Sequence, residues 1–159
     1  MIKIEGIVSD LNGNRRRNQK DHDEFRRVLS KMEKTTEKEV SLRKELLPHF
    51  KRILYAHHVA EEETLFPAME KKEDLKNMAL DLTEEHRAMI ILLDDLEVSG
   101  WDYKFWRNRL RPFREIIVVH WRKEEEMIIP HMSDYFSQKE IDELSLGFDT
   151  VRKREINAN

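Results

Sequence analysis

The chain carries the same helical hairpin twice, and this duplication limits its fold more than any other feature. Residues 50–67 contain Phe50, Ile53, His57, Glu61, Glu62, Glu63 and Pro67. Residues 113–130 repeat them as Phe113, Ile116, His120, Glu124, Glu125, Glu126 and Pro130, all at an offset of 63. Upstream, at an offset of 64, His22, Phe25, Leu29 and Met32 correspond to His86, Met89, Leu93 and Leu96. An acidic residue, Asp21 or Glu85, precedes the histidine in each copy, and Pro48 matches Pro112. Two copies are too few for a solenoid, so the unit is a hairpin that must pack against its own duplicate.

Within each copy the repeated positions fall at i, i+3, i+7 and i+10 or i+11, which is one face of a helix. The expected fold is all-α: an up-down antiparallel four-helix bundle with an internal pseudo-two-fold axis. Expected helices cover residues 17–36, 40–66, 74–98 and 103–129, with a bundle core over about 17–130. The connections are 34–39, 67–74 and 99–101, where Gly100 is the clearest breaker. Pro48 and Pro112 imply either a kink or a later helix start. Ser137-Gln-Lys-Glu140 has the form of a capping box, opening a short C-terminal helix over about 137–150. Residues 1–15 are expected as a loop over one end, and residues 1–159 as a single domain.

Composition narrows the function. The chain is 38% charged with 4 Gly and 4 Pro, which favours helices, and its net charge of −3 gives no general attraction to nucleic acid or anionic membrane. Arg15-Arg16-Arg17 reads as a solvated basic cluster. The absence of cysteine removes disulfides, thiolate-bound zinc, iron–sulfur ligation and thiol catalysis together. The apolar run Ala88–Leu93 is too short to span a bilayer, and the N-terminus does not read as a signal peptide, so a cytoplasmic protein is expected. No nucleophile constellation and no Gly-rich phosphate loop is present.

What remains is a set of polar groups placed where a bundle wants leucine. At 100° per residue, Glu61 lies only about 40° around its helix from His57 and about 6 Å along it. Phe50 and Ile53 flank the same direction, so His57 and Glu61 share the apolar face, as do His120 and Glu124. His22 and His86 also lie on apolar stripes. Two carboxylates and four imidazoles are thus expected to converge inside. Buried unpaired carboxylates cost several kcal/mol and repel one another; a pair of cations removes both penalties. Mixed imidazole and carboxylate donors suit iron, manganese or zinc. The ordinary alternative, four core histidines with everyday hydrogen bonds, accounts poorly for their repetition with Glu at i+4. Glu62 and Glu125 point well away from the histidines and read chiefly as solvated or paired with Lys and Arg. His58, about 100° off the ligand face, and His131 read as structural or exposed. His49, two turns before His57, is a weak candidate for a supporting hydrogen bond. The tryptophans, Tyr55 and Met32, Met69, Met78, Met89 and Met127 read as packing residues.

These residues resemble the hemerythrin-like, HHE cation-binding family. The resemblance covers about residues 20–130 and rests on Asp21-His22, His57-His-Val-Ala-Glu61-Glu-Glu-Thr-Leu-Phe-Pro67, Glu85-His86 and His120-Trp-Arg-Lys-Glu124-Glu-Glu-Met-Ile-Ile-Pro130. It implies a non-haem di-iron centre: two iron ions, with zinc or manganese as alternatives. Glu61 and Glu124 would bridge, His22 and His57 would hold one ion, His86 and His120 the other, and an oxo, hydroxo or water bridge would complete the core. The oxygen-carrying members place two histidines one turn apart on the third helix. Here Leu82 and Ile90 flank His86, which argues against reversible oxygen carriage. The function implied is to bind, sense or process dioxygen, nitric oxide or peroxide; the alternative is an iron-binding sensor or storage module without turnover.

Overall fold

The structure is a computed structural model describing residues 5–99 and 101–158, with side chains from residue 19 onward. Gly100 and the side chains of Arg15-Arg16-Arg17 lie outside the described residues. Helices account for almost everything described, and no strand occurs among those residues. The elements are α1 (Glu5–Lys34), α2 (Val40–Glu63), α3 (Leu65–Glu70), α4 (Lys76–Val98), α5 (Tyr103–Arg122), α6 (Met132–Tyr135) and α7 (Gln138–Ala158). Between α5 and α6 the chain passes through a π-helical turn, Lys123–Ile128, and a 3-10 turn, Ile129–His131. None of the described helices is long and apolar enough to cross a membrane.

Several boundaries differ from expectation for local reasons. Residues 5–15, expected as loop, belong to α1. The second helix breaks at Thr64, whose hydroxyl turns back to the Ala60 carbonyl at 2.5 Å, and a short helix resumes through Pro67. Pro48 and Pro112 both sit inside helices that begin well before them, so a later helix start is not what they signal. The capping box forms: the Ser137 backbone N–H donates to Glu140 Oε2 at 2.7 Å and Glu140 N–H donates to Ser137 Oγ at 3.3 Å. The helix it opens runs on to Ala158, beyond the expected end, and lies along α2 and α1.

The core divides into two apolar clusters. One gathers Phe25, Leu29, Met32, Leu47, Phe50, Leu54, Met89, Leu93, Trp106, Phe113 and Ile117. The other gathers Leu65, Phe66, Met69, Leu82, Ile128, Met132 and Ile141. Along α2 and α5 the chain runs from the first cluster towards the second; along α4 it runs back. The polar repeat residues of these three helices therefore lie between two dry plugs. Met32, Met69 and Met89 fill core as expected, whereas Met127 and Tyr55 are exposed.

Buried Arg43 closes the far end of the first cluster. Its guanidinium donates to the carbonyls of Thr36 at 2.5 Å and Trp101 at 3.1 Å, and lies over the rings of Trp106 and Tyr103. One cation thus ties the α1–α2 connection to the α4–α5 connection and satisfies backbone acceptors that would otherwise be buried without donors.

Candidate metal centre

His22 on α1, His57 and Glu61 on α2, His86 on α4, His120 on α5 and Glu124 at the start of the π-turn all meet between the apolar clusters. Each is at most 1% exposed. Phe25 and Trp121 lie against His22, Phe25 and Phe148 meet His57 edge-on at 5.2 Å, and Phe66 covers His86 at 5.1 Å. The groups therefore sit in a low-dielectric, water-poor pocket walled by aromatic rings, where an uncompensated charge is most costly.

Each carboxylate faces both halves of the site. Glu61 Oε1 is 3.1 Å from His57 Nε2, and its Oε2 is 3.4 Å from His86 Nε2. Glu124 Oε2 is 3.1 Å from His22 Nε2, and its Oε1 is 2.9 Å from His120 Nε2. These are close contacts without hydrogen-bond geometry: all four carboxylate oxygens, and Nε2 of His22 and His57, lack a hydrogen-bond partner. His86 Nε2 and His120 Nε2 face each other at 3.1 Å. Apart from that imidazole pair, donor atoms gathered without hydrogen bonds to one another fit cations placed between them.

The outer nitrogens are equally ordered. His22 Nδ1 donates to Glu125 at 2.7 Å, His57 Nδ1 to Asp21 at 3.0 Å, His86 Nδ1 to Glu62 at 2.7 Å, and His120 Nδ1 to Glu85 at 2.9 Å. An ionised carboxylate can only accept, so each Nδ1 carries the proton and each Nε2 is the free end pointing inward. Three of the four carboxylates are themselves held: Asp21 by Arg152, Glu125 by Arg26, and Glu85 by Lys123.

The charge balance follows from this packing. Burial opposes protonation of His57 and His120, but Glu61 and Asp21 around the first, and Glu124 and Glu85 around the second, lift both to about 10. Burial likewise opposes charge on His22, and Glu124 and Glu125 overcome it to raise its value. Burial and the facing Glu124 push Glu61 up, yet His57 and His86 bring it below the usual carboxylate range; burial also pushes Glu124 up, and His120 and His22 carry it well below. Two carboxylates kept ionised in a dry interior demand positive charge beside them. Protons on the imidazoles supply it in the bare chain, and metal cations can take their place.

Donor atoms from Glu61, His86, His120 and Glu124 lie within 4.8 Å of one another, as do those from His22, His57 and Glu124. A model of the hemerythrin HHE cation-binding domain matches residues 16–132. The chain belongs to that family. No curated protein and no solved structure matches the chain. The match leaves α7 outside it, although in this member of the HHE family α7 supplies both Arg152 and Phe148 to the site.

Sequence reasoning missed two groups of residues. Glu62 and Glu125, read as chiefly solvated, orient His86 and His22; their recurrence at the same offset as Glu61 and Glu124 was the available signal. Asp21 and Glu85 were visible as a repeated acidic neighbour, but a helix wheel cannot show that they reach across to the next helix. His58, read as structural or exposed, is 2% exposed and stacks on His86. His49 is half exposed near Glu24, and His131 bonds Asp134 at the surface, so neither enters the centre.

Proposed function

We propose that the chain is a di-iron protein of the HHE family, with His22 and His57 holding one ion, His86 and His120 the other, and Glu61 and Glu124 bridging. The observation that carries this reading is the division of each carboxylate, whose two oxygens face imidazoles of opposite pairs. An all nitrogen and oxygen donor set without sulfur suits iron, manganese or zinc, and the preference for iron rests on the family. The alternating direction in which α2, α4 and α5 pass between the apolar clusters supports an up-down four-helix bundle as the frame, and we place it in a single cytoplasmic domain.

Bound iron would supply a Lewis-acidic, redox-active position for a small molecule such as dioxygen, nitric oxide or peroxide. The chain's own residues do the rest. The four outer carboxylates fix the tautomer and direction of each imidazole. The aromatic walls exclude water, and the two bridging carboxylates hold opposite pairs of histidines in one register.

The test is to purify the protein without a metal-chelating tag, count iron, zinc and manganese per chain, and record the visible spectrum with and without azide. About two irons and an azide-induced charge-transfer band are expected. Two irons with no response to azide, nitric oxide or peroxide would replace small-molecule processing with an iron-sensing or storage module. A folded protein that takes up no metal would overturn the reading.

A further inference from the structure

The duplication leaves one of its two outer grooves filled and the other open. In copy one, α7 lies along α2 and α1. Ala56 and Ala60 on α2 are fully buried, and a Cβ added at Gly147 of α7 would come within 3.2 Å of Thr64 Cγ2. In copy two the corresponding groove runs between α4 and α5. It encloses about 590 Å³, and its lining comes from α4, α5 and the first residue of the π-turn. Val119 and Lys123 stand there where copy one has Ala56 and Ala60, and Val119 is 49% exposed. Among the described residues no helix lies over this groove as α7 lies over the other.

Charge separates the two grooves as well. At the offset of 64, copy two carries Asp81 and Glu84 where copy one carries Arg17 and Lys20. Asp81, Glu84, Glu85 and Glu115 rim the open groove around a floor of Ala88, Pro112, Ile116 and Val119. Its one cation, Lys123, is engaged by Glu85. Glu84 and Glu115 make exposed pairs with Arg87 and Arg111, which are worth little against a competing cation. Two molecules joined through this groove alone would set the carboxylates against their own images, which like-charge repulsion opposes. The groove therefore fits a basic helix that also carries apolar residues.

The chain supplies such a helix. α1 begins at Glu5, so Ile7, Val8, Leu11 and the cluster Arg15-Arg16-Arg17 belong to a helix that continues into exposed Lys20. The metal centre makes no use of this cluster. The chain's other run of three cations, Arg152 to Arg154, is engaged through its two arginines by Asp21 and Glu63. We propose that the α4/α5 groove docks the basic leading segment of α1, residues 5–20, from a second molecule of this chain. Each molecule offers one groove and one leading segment, so two reciprocal contacts close a dimer.

The experiment measures the mass of the full chain by sedimentation at rising concentration and at two salt levels. A dimer forming at micromolar concentration is expected at about 0.1 M salt. Raising the salt to about 1 M shortens the Debye length from about 10 to about 3 Å and should weaken the dimer at least about tenfold. Asp81→Lys with Glu84→Lys should abolish it, as should Arg16→Glu with Arg17→Glu, each at unchanged helical content by circular dichroism. Mixing the two double variants should restore it, because the reversed groove of one then meets the reversed helix of the other. A wild-type chain that stays monomeric to about 1 mM, the scale of the weakest specific contacts, would overturn the proposal. So would a dimer indifferent to both double variants, or a mixture that stays monomeric.

Discussion

Arg152 reaches the centre from α7, outside the residues that match the family, and its removal measures how far that helix is part of the site. Arg152 Nε and Nη2 both donate to Asp21 at 2.6 Å, and Asp21 Oδ2 also accepts from His57 Nδ1 at 3.0 Å. In Arg152→Gln, Asp21 keeps its imidazole but loses a bidentate cation. Each charge-assisted bond is worth about 1.5–3 kcal/mol when fully buried. The Arg152 side chain is 26% exposed, so water recovers part of this, and about 2 kcal/mol in total is the expected loss. For a domain of this size that lowers the unfolding midpoint by roughly 4–8 °C. The control is Arg154→Gln, which breaks a solvent-exposed pair with Glu63 and should leave the midpoint nearly unchanged. The assay is thermal unfolding of chelator-treated protein by circular dichroism, with amide exchange of α7 followed in parallel. Equal midpoints for the two variants, or unchanged protection of α7 in Arg152→Gln, would refute the claim that this helix is clamped through Asp21.

Glu61→Ala or Glu124→Ala should lose the paired site, so that metal content falls from about two ions per chain to one or fewer. Each of Asp21→Asn, Glu62→Gln, Glu85→Gln and Glu125→Gln should weaken metal binding about 10- to 100-fold in competition with a chelator, because each replaces the anionic acceptor of one Nδ1–H by a neutral amide and makes that imidazole a poorer ligand. Arg43→Met should cost about 3 kcal/mol in urea unfolding through carbonyls left without donors, and Arg43→Lys should recover only part, since an ammonium lacks the fork. Acid should loosen α7. The Ser137 backbone N–H holds Glu140 below its usual range, Arg154 does the same for Glu63, and against the upward push of burial His57 and Arg152 lower Asp21. Depressed carboxylates stabilise the fold above their unfolded values and lose that contribution as pH falls through the folded ones. Amide protection of α7 should therefore be level from neutral pH to about 5 and decline below about 4; protection independent of pH would contradict this.

The sequence makes some of this legible and leaves the rest to packing. The helical faces were readable because a 3.6-residue period is a local property, and the repeat doubled the sample. His22, His57, Glu61, His86, His120 and Glu124 stood out because polar groups on an apolar stripe are anomalous whatever they pack against. The outer carboxylates were not readable as partners. Whether Glu125 meets water or His22 depends on how α1 sits beside the π-turn, and no period in either segment encodes that. The length of α7 escaped for a related reason. Its docking through Arg152 and Phe148 favours the helix to Ala158, whereas the capping box marks only where it begins. The π-turn at Lys123–Ile128 had no sequence signal, since the first copy carries its Glu61-Glu62-Glu63 run on an ordinary α-helix.

The pattern of contacts also explains why the hairpin had to be doubled. Within a copy, Asp21 orients His57 and Glu85 orients His120, so one hairpin can aim the histidine of its second helix. It cannot aim the histidine of its first. Glu62 of copy one reaches His86 of copy two, and Glu125 of copy two reaches His22 of copy one. The buried carboxylates cross in the same way, Glu61 to His86 and Glu124 to His22. A single hairpin would leave one imidazole unheld and one carboxylate oxygen without its counterpart. Both defects disappear only when a second copy packs against the first, so the centre is a property of the interface between the copies. Symmetry at that interface is then open to local departure. His58 against Trp121, α7 on one flank, and a π-turn in one copy alone each act on one half. Those three differences, rather than the shared six residues, are where the two ends of the centre can be made chemically unlike.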